Sequence, residues 1–148
     1  MGTRVEDVMT EDVVTAAAET SLETVAETML RHDVGSVVVT TEGDPYGIVT
    51  ESDLILAAYH TGRPLAELPT RKVASHPLVT VDPKQPIRTA IDRMRTERIK
   101  KLVVVDRLEM CGIVTTYDLI RRWGDVSADV REIEHNRVRR SDTWSTQR

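Results

Sequence analysis

The sequence predicts an α/β fold made of tandem β-α-β-β-α repeats packed as one pseudo-two-fold module, and three observations carry that prediction. Shifted by 65 positions, residues 8–55 lie over residues 73–120 without a gap, and fourteen of those positions are identical. Among them are Val14/Val79, Met29/Met94, Gly47/Gly112, Thr50/Thr115 and Asp53/Asp118. Within each copy, valine-rich runs of strand length alternate with stretches whose apolar residues recur at helical spacing. The chain also has no phenylalanine and only 3% aromatic residues, so its core must be Val, Ile, Leu, Ala and Met. Each copy alone is too small to bury a large core, so the two must pack on each other. Packing of that kind creates paired clefts, and function is sought there first.

Residues 5–15 open with a short helical turn and reach a small strand, Val13-Val14-Thr15. Thr20-Ser21-Leu22-Glu23 has the form of a capping box. After it, Leu22, Val25, Ala26, Met29 and Leu30 share one helix face. Residues 34–40 form a buried strand, and Glu42-Gly43-Asp44-Pro45 turns the chain so that residues 46–50 pair back as a hairpin. A second helix covers residues 52–60 and stops at Gly62. The second copy repeats the order. It has the strand Val79-Thr80-Val81, a helix carrying Ile87, Ala90, Ile91 and Met94, strands at 99–106 and 110–115, and a helix at 117–123. The chain thus divides into a first repeat at 4–60, a connector at 61–72, a second repeat at 73–123 and a polar tail at 124–148. The last ten or so residues of the tail are expected to be disordered.

Composition excludes several classes of function. A formal charge of −4 and a pI near 5.6 disfavour general binding to a phosphate backbone, and the scarcity of rings argues against stacking on single strands. Cys111 is the single cysteine, which rules out an internal disulfide, fits a reducing compartment and reads as a small strand residue. His32, His60, His76 and His135 show no metal-ligand spacing. No Walker loop, G-x-S-x-G or dinucleotide G-x-G-x-x-G is present, so neither catalysis nor a cofactor is expected. No apolar run approaches a membrane span and the N-terminus has no signal-peptide core, so the expected location is the cytoplasm. Arg137, Arg139 and Arg140 read as a solvated tail, with a nucleic-acid arm as the alternative.

Both copies close on Gly-Ile-Val-Thr-x-x-Asp-Leu-Ile, at 47–55 and 112–120. Val-Glu-Asp-Val-Met-Thr at 5–10, the Met29/Met94 position, GSVVV at 35–39 and KKLVVV at 100–105 extend the pattern. Together these residues resemble a CBS-domain pair, or Bateman module, over residues 4–123. One departure is Arg107-Leu108-Glu109-Met110, which stands where the family usually has an Asp-Gly hairpin turn. The resemblance implies an adenosine-containing ligand (AMP, ADP, ATP, S-adenosylmethionine or a dinucleotide) in the clefts between the halves. It further implies a regulatory rather than catalytic role, a protein partner acted on in trans, and a homodimer shaped as a flat disc.

Carried over by position, the resemblance puts Val14, Val34 and Gly35 on the base pocket of the site whose sugar end is Thr115 and Asp118. Val79, Ile99 and Lys100 fall on the site completed by Thr50 and Asp53. A basic residue at the Lys100 position is implied to face ligand phosphates, in the site ending at Asp118; Arg98 and Arg71 rank below it.

The residues themselves leave two roles open for each Thr-x-x-Asp pair. At a strand-to-helix junction the pair is a capping box, with the Thr oxygen accepting from a free helix N–H and the Asp reaching back. A carboxylate can equally accept from both vicinal ribose hydroxyls, while a Thr hydroxyl and free N–H groups hold a phosphate. Two rivals to the ligand sensor therefore stand. One is a structural or oligomerisation module that only caps its helices. The other is a nucleic-acid-associated regulator acting through the arginine tail. Leu54, Ile55, Ala58, Leu119, Ile120 and Trp123 exceed what one internal interface needs, which anticipates a homodimer.

Overall fold

Two three-stranded sheets, one from each copy, organise the chain. The computed structural model describes residues 3–76 and 78–122. In the first copy β1 (Thr15–Ala17) runs parallel to the central β2 (Ser36–Thr41), which pairs antiparallel with β3 (Asp44–Thr50). In the second, β4 (Thr80–Val81), β5 (Lys101–Asp106) and β6 (Glu109–Thr115) repeat that arrangement. Short helices α1 (Val5–Val8) and α4 (Thr70–Val73) lead the copies. Helices α2 (Leu22–His32) and α5 (Ile87–Glu97) connect the first two strands of each, and α3 (Glu51–Thr61) and α6 (Thr116–Arg121) follow the last.

Periodicity explains the crossover helices. Leu22, Val25 and Met29 of α2 are buried, as are Ala90 and Met94 of α5, at the three- and four-residue spacing that keeps side chains on one face. Leu30, expected on that face, is instead exposed. Both helices end on a left-handed residue that is not glycine, Asp33 (φ 51°) and Arg98 (φ 56°). The next N–H groups, of Val34 and Ile99, still bond back to the Met29 and Met94 carbonyls at 3.1 and 3.0 Å, closing the last turn. For that reason β2 begins at Ser36, two residues later than the valine run suggests. Likewise β1 begins at Thr15, with the Val14 carbonyl accepting from Val38 N–H at 3.0 Å.

The two hairpins share one geometry despite different residues. Glu42 and Gly43 have φ of 52° and 85°, and Arg107 and Leu108 have φ of 50° and 70°. Both central residues are left-handed in each, as a two-residue type I′ turn requires. The departure at residues 107–110 therefore leaves the hairpin intact.

What joins the copies is a reciprocal crossing of their lead segments. Val5 and Val8 of the first copy are buried among Val81, Ala90, Met94, Leu102, Val104, Val114 and Leu119 of the second. Conversely Leu68 and Ala74 complete the core of Ala18, Leu22, Val25, Met29, Val37, Val39 and Val49. Backbone bonds seal both crossings. Thr10 exchanges N–H···O bonds with Ile113 at 2.8 and 3.0 Å, and Ser75 does the same with Ile48 at 2.9 and 3.1 Å. The connector takes part too. Leu22 N–H bonds to the Leu68 carbonyl at 2.9 Å and Thr70 N–H to the Thr20 carbonyl at 3.0 Å. This overturns the capping box expected at Thr20. Ser21 is the N-cap residue without a side-chain bond, the connector carbonyl meets the first helix N–H, and the Thr20 hydroxyl donates to the Ala17 carbonyl at 2.7 Å.

The repeated glycine of the closing motif is explained by this crossing. A Cβ on Gly47 would lie 2.6 Å from the Ser75 carbonyl oxygen, and one on Gly112 would lie 2.7 Å from Met9 Sδ and 3.0 Å from the Thr10 oxygen. Gly47→Ala should therefore lower stability by about 1–3 kcal/mol in urea unfolding, because the blocking atom is backbone. An unchanged midpoint would show that the crossing is loose. Thr70, the counterpart of Val5, is fully buried with its hydroxyl unpaired. Thr70→Val removes that hydroxyl at constant shape and should raise stability by about 1 kcal/mol in the same assay. A loss of stability would mean that the hydroxyl has a partner.

Candidate functional site

The Thr-x-x-Asp pairs sit where β3 and β6 pass into α3 and α6, and they form complete capping boxes. Thr50 Oγ1 accepts from Asp53 N–H at 3.3 Å, while Thr50 N–H donates to Asp53 Oδ2 at 2.8 Å. Thr115 Oγ1 accepts from Asp118 N–H at 3.1 Å, and Thr115 N–H donates to Asp118 Oδ2 at 2.9 Å. Capping is thus a real role of both pairs, and it leaves each carboxylate a second oxygen. The two are not equivalent. Asp118 is only 6% exposed, whereas Asp53 is half-buried and also accepts from its own Thr50 hydroxyl at 3.0 Å. The Thr10 hydroxyl, carried in by the crossing segment, donates to Asp118 Oδ1 at 3.5 Å.

Sheet register then brings further residues to these junctions. The Lys100 carbonyl accepts from Thr116 N–H at 3.0 Å, which sets the backbone of exposed Lys100 beside the start of α6. Gly35 holds the same position in the first copy, its carbonyl accepting from Glu51 N–H at 3.1 Å. The junctions also approach each other. A Cβ on Gly35 would lie 2.8 Å from Glu51 Oε1 and 3.7 Å from Lys101 Nζ, and Lys101 is the ladder partner of Thr115. The Lys101 side chain of the second copy thus extends to Gly35 of the first.

The apolar candidates are placed differently. Val14 and Val34 pack, half-buried, on the first core, and Val79 and Ile99 on the second. The Val14 and Val79 carbonyls already accept from Val38 and Val103 N–H at 3.0 and 3.3 Å, so each keeps one lone pair for a ligand edge. Arg71 lies away from both junctions. Its guanidinium pairs with Glu19 at 3.1 Å and covers the Tyr46 ring, which stacks on His76. Arg98 is the left-handed C-cap residue of α5, with an exposed side chain. Cys111 behaves as a strand residue. Burial first, then the charges of Asp106 and Asp82, push its thiol above the ordinary cysteine value, and its Sγ donates to the Val104 carbonyl at 3.5 Å. Two open depressions, of about 390 and 360 Å³, lie on the second copy around Arg93, Arg107 and Glu109 and include none of the candidate residues.

Two residues at the junctions, Thr10 and Glu51, were missed by the sequence reading, and Lys101 was seen only as the neighbour of Lys100 at the start of a strand. Thr10 left a trace, since its repeat counterpart Ser75 is also a hydroxyl residue. Glu51 marks the one charged difference inside the Thr-x-x-Asp motif, where the second copy has Thr116. The tail, Trp123 and the arginine cluster lie outside the described residues. Among the described residues no helix is long and apolar enough to cross a membrane.

Comparison with known proteins agrees with this architecture. The CBS domain model matches residues 5–60 and again residues 70–125. An uncharacterized protein of Methanopyrus kandleri is 35% identical over 120 residues, covering 79% of this chain and 61% of that protein. The CBS domain-containing protein YhcV of Bacillus subtilis is 31% identical over 115 residues, covering 78% of this chain and 81% of that protein. The crystal structure of the CBS domain pair of protein MJ0100, in complex with 5′-methylthioadenosine and S-adenosyl-L-methionine, superposes with a TM-score of 0.74. It is 24% identical, covering 84% of this chain and 98% of the other. The chain belongs to the CBS domain family, as a tandem pair of the kind that forms a regulatory module.

Proposed function

We propose that this CBS pair senses an adenosine-containing ligand in the clefts at Asp118 and Asp53 and passes its occupancy to a protein partner in trans, without catalysing a reaction. The observation that carries the reading is the pair of Thr-x-x-Asp junctions, which approach each other at Gly35 and Lys101 with a buried carboxylate at Asp118. A carboxylate held by its cap is preorganised to accept from vicinal ribose hydroxyls, and Lys100 beside it supplies a cation for phosphates. That the MJ0100 pair was crystallised with two adenosyl compounds supports this ligand class. The base pocket proposed for the Asp118 site is Val14, Val34 and Gly35; for the Asp53 site it is Val79 and Ile99. Lys100 leads into β5 beside the second junction, where the first copy has uncharged Gly35, so phosphates favour the Asp118 cleft.

AMP, ADP or ATP should bind with micromolar affinity, about −8 kcal/mol, in calorimetry on the full chain. Asp118→Ala should weaken the tight event at least tenfold, since each lost charge-assisted hydrogen bond contributes roughly 1.5–3 kcal/mol. Asp53→Ala should leave that event nearly unchanged, and Lys100→Ala should weaken ATP more than adenosine. Reversed effects of the two aspartate variants would exchange the clefts. Because the capping boxes close within the protein alone, a purely structural module is the second reading, and it prevails if no adenosine compound produces heat or a thermal shift.

Self-association is the second part of the proposal. On α3, Ile55, Leu56 and Tyr59 are 68%, 52% and 82% exposed, while Leu54 and Leu119, also expected on the surplus face, pack on the two cores instead. A second copy covering that face would bury it, and light scattering at micromolar concentration should report a dimer. A monomer, or a dimer unaffected by Ile55→Asp together with Tyr59→Ser, would contradict an α3 interface.

A further inference from the structure

We propose that the Thr10 hydroxyl is a built-in competitor for Asp118 Oδ1, so that this one side chain of the crossing segment sets the affinity of the Asp118 cleft. The inference rests on the reading of Asp118 as the carboxylate that holds a ligand sugar. Asp118 is 6% exposed, and its Oδ2 is well satisfied by Thr115 N–H at 2.9 Å. The protein's donor to Oδ1 is Thr10 Oγ1 at 3.5 Å, long against the roughly 2.5–3.0 Å of an ordinary O–H···O bond. Thr10 cannot easily come closer. Its N–H and its carbonyl are both tied to Ile113, at 2.8 and 3.0 Å, which seats its backbone against β6. Among the described residues, this oxygen of a largely buried side chain thus has one stretched donor. Poorly satisfied buried charge is costly, so a better donor displaces a worse one.

A ribose hydroxyl is such a donor. It can reach Oδ1 at full hydrogen-bond distance, because it is not tethered to a strand. On its arrival the Thr10 hydroxyl gives up its place. The Thr10 contact therefore stabilises the unliganded protein and not the complex, and linkage turns that difference into lower affinity. The opposite junction has no such device. Among the described residues Ser75, which crosses there and is exposed as Thr10 is, makes no hydrogen bond to Asp53, and the hydrogen bonds that Asp53 accepts come from Thr50. The competitor thus distinguishes the two clefts.

The test is calorimetric titration of the full chain with AMP and with adenosine, alongside thermal melting without ligand. Thr10→Val keeps the shape and removes the donor. It should bind both probes about three- to tenfold more tightly while melting at lower temperature unliganded. Thr10→Ala should shift affinity in the same direction, Thr10→Ser should resemble the parent, and Ser75→Ala should leave affinity unchanged. A general loss of packing would lower the melting temperature without tightening binding. Equal or weaker binding by Thr10→Val and Thr10→Ala, with the parent binding normally, overturns the competitor and leaves the sugar site standing. Failure of the parent protein to bind either probe overturns the sugar site itself, and the competitor with it.

Discussion

Each core in this molecule is finished by a segment from the other copy, and most other features follow from that crossing. Val5 and Val8 close the second core, while Leu68 and Ala74 close the first. A fully buried aliphatic side chain contributes roughly 1.5–3 kcal/mol, a large share of the stability of a domain this size. Neither copy can therefore keep its packing if the other withdraws its lead segment. The two-residue backbone seams at Thr10–Ile113 and Ser75–Ile48 fix the register of the crossing, since a slip of one residue would turn Val8 or Val73 out of its core.

Site geometry is a by-product of the same constraint. The lead segments lie across β3 and β6 immediately before the Thr-x-x-Asp turns, so whatever enters a cleft meets a crossing residue. At Asp118 that residue is Thr10, whose hydroxyl bonds to the carboxylate; at Asp53 it is Ser75, and both are exposed. On the proposed function, helix capping and ligand holding share one carboxylate but not one oxygen. The cap uses Oδ2 of each aspartate and fixes its rotamer, leaving Oδ1 outside the cap.

Much of this was legible in the sequence, for identifiable reasons. The β-α-β-β-α order could be read because the copies confirm each other, so a weak strand such as Val79-Thr80-Val81 gains support from Val13-Val14-Thr15. The paired glycines and Thr-x-x-Asp motifs were visible as identities, and their place at strand-to-helix junctions followed from local pattern. The crossing was not visible. Thr10 and Ile113 are too far apart for periodicity to connect them, and nothing in the 5–10 stretch says which core Val5 enters. The left-handed helix ends at Asp33 and Arg98 carry no glycine to announce them, and the turn at Arg107 and Leu108 lacks the usual Asn-Gly or Asp-Gly signal. Nor could the motifs show that Asp118 is buried while Asp53 is half-exposed, because residues distant in the chain decide that difference.

The central claim is that the halves depend on each other for stability, and native-state hydrogen exchange tests it most directly. The amides of Val38 and Val103, in the two central strands, bond to the Val14 and Val79 carbonyls and report on one core each. With rising denaturant, both should converge on a single unfolding free energy and a single slope, because opening either core removes a segment from the other. Two separate isotherms, with one strand protected after the other has opened, would contradict the account.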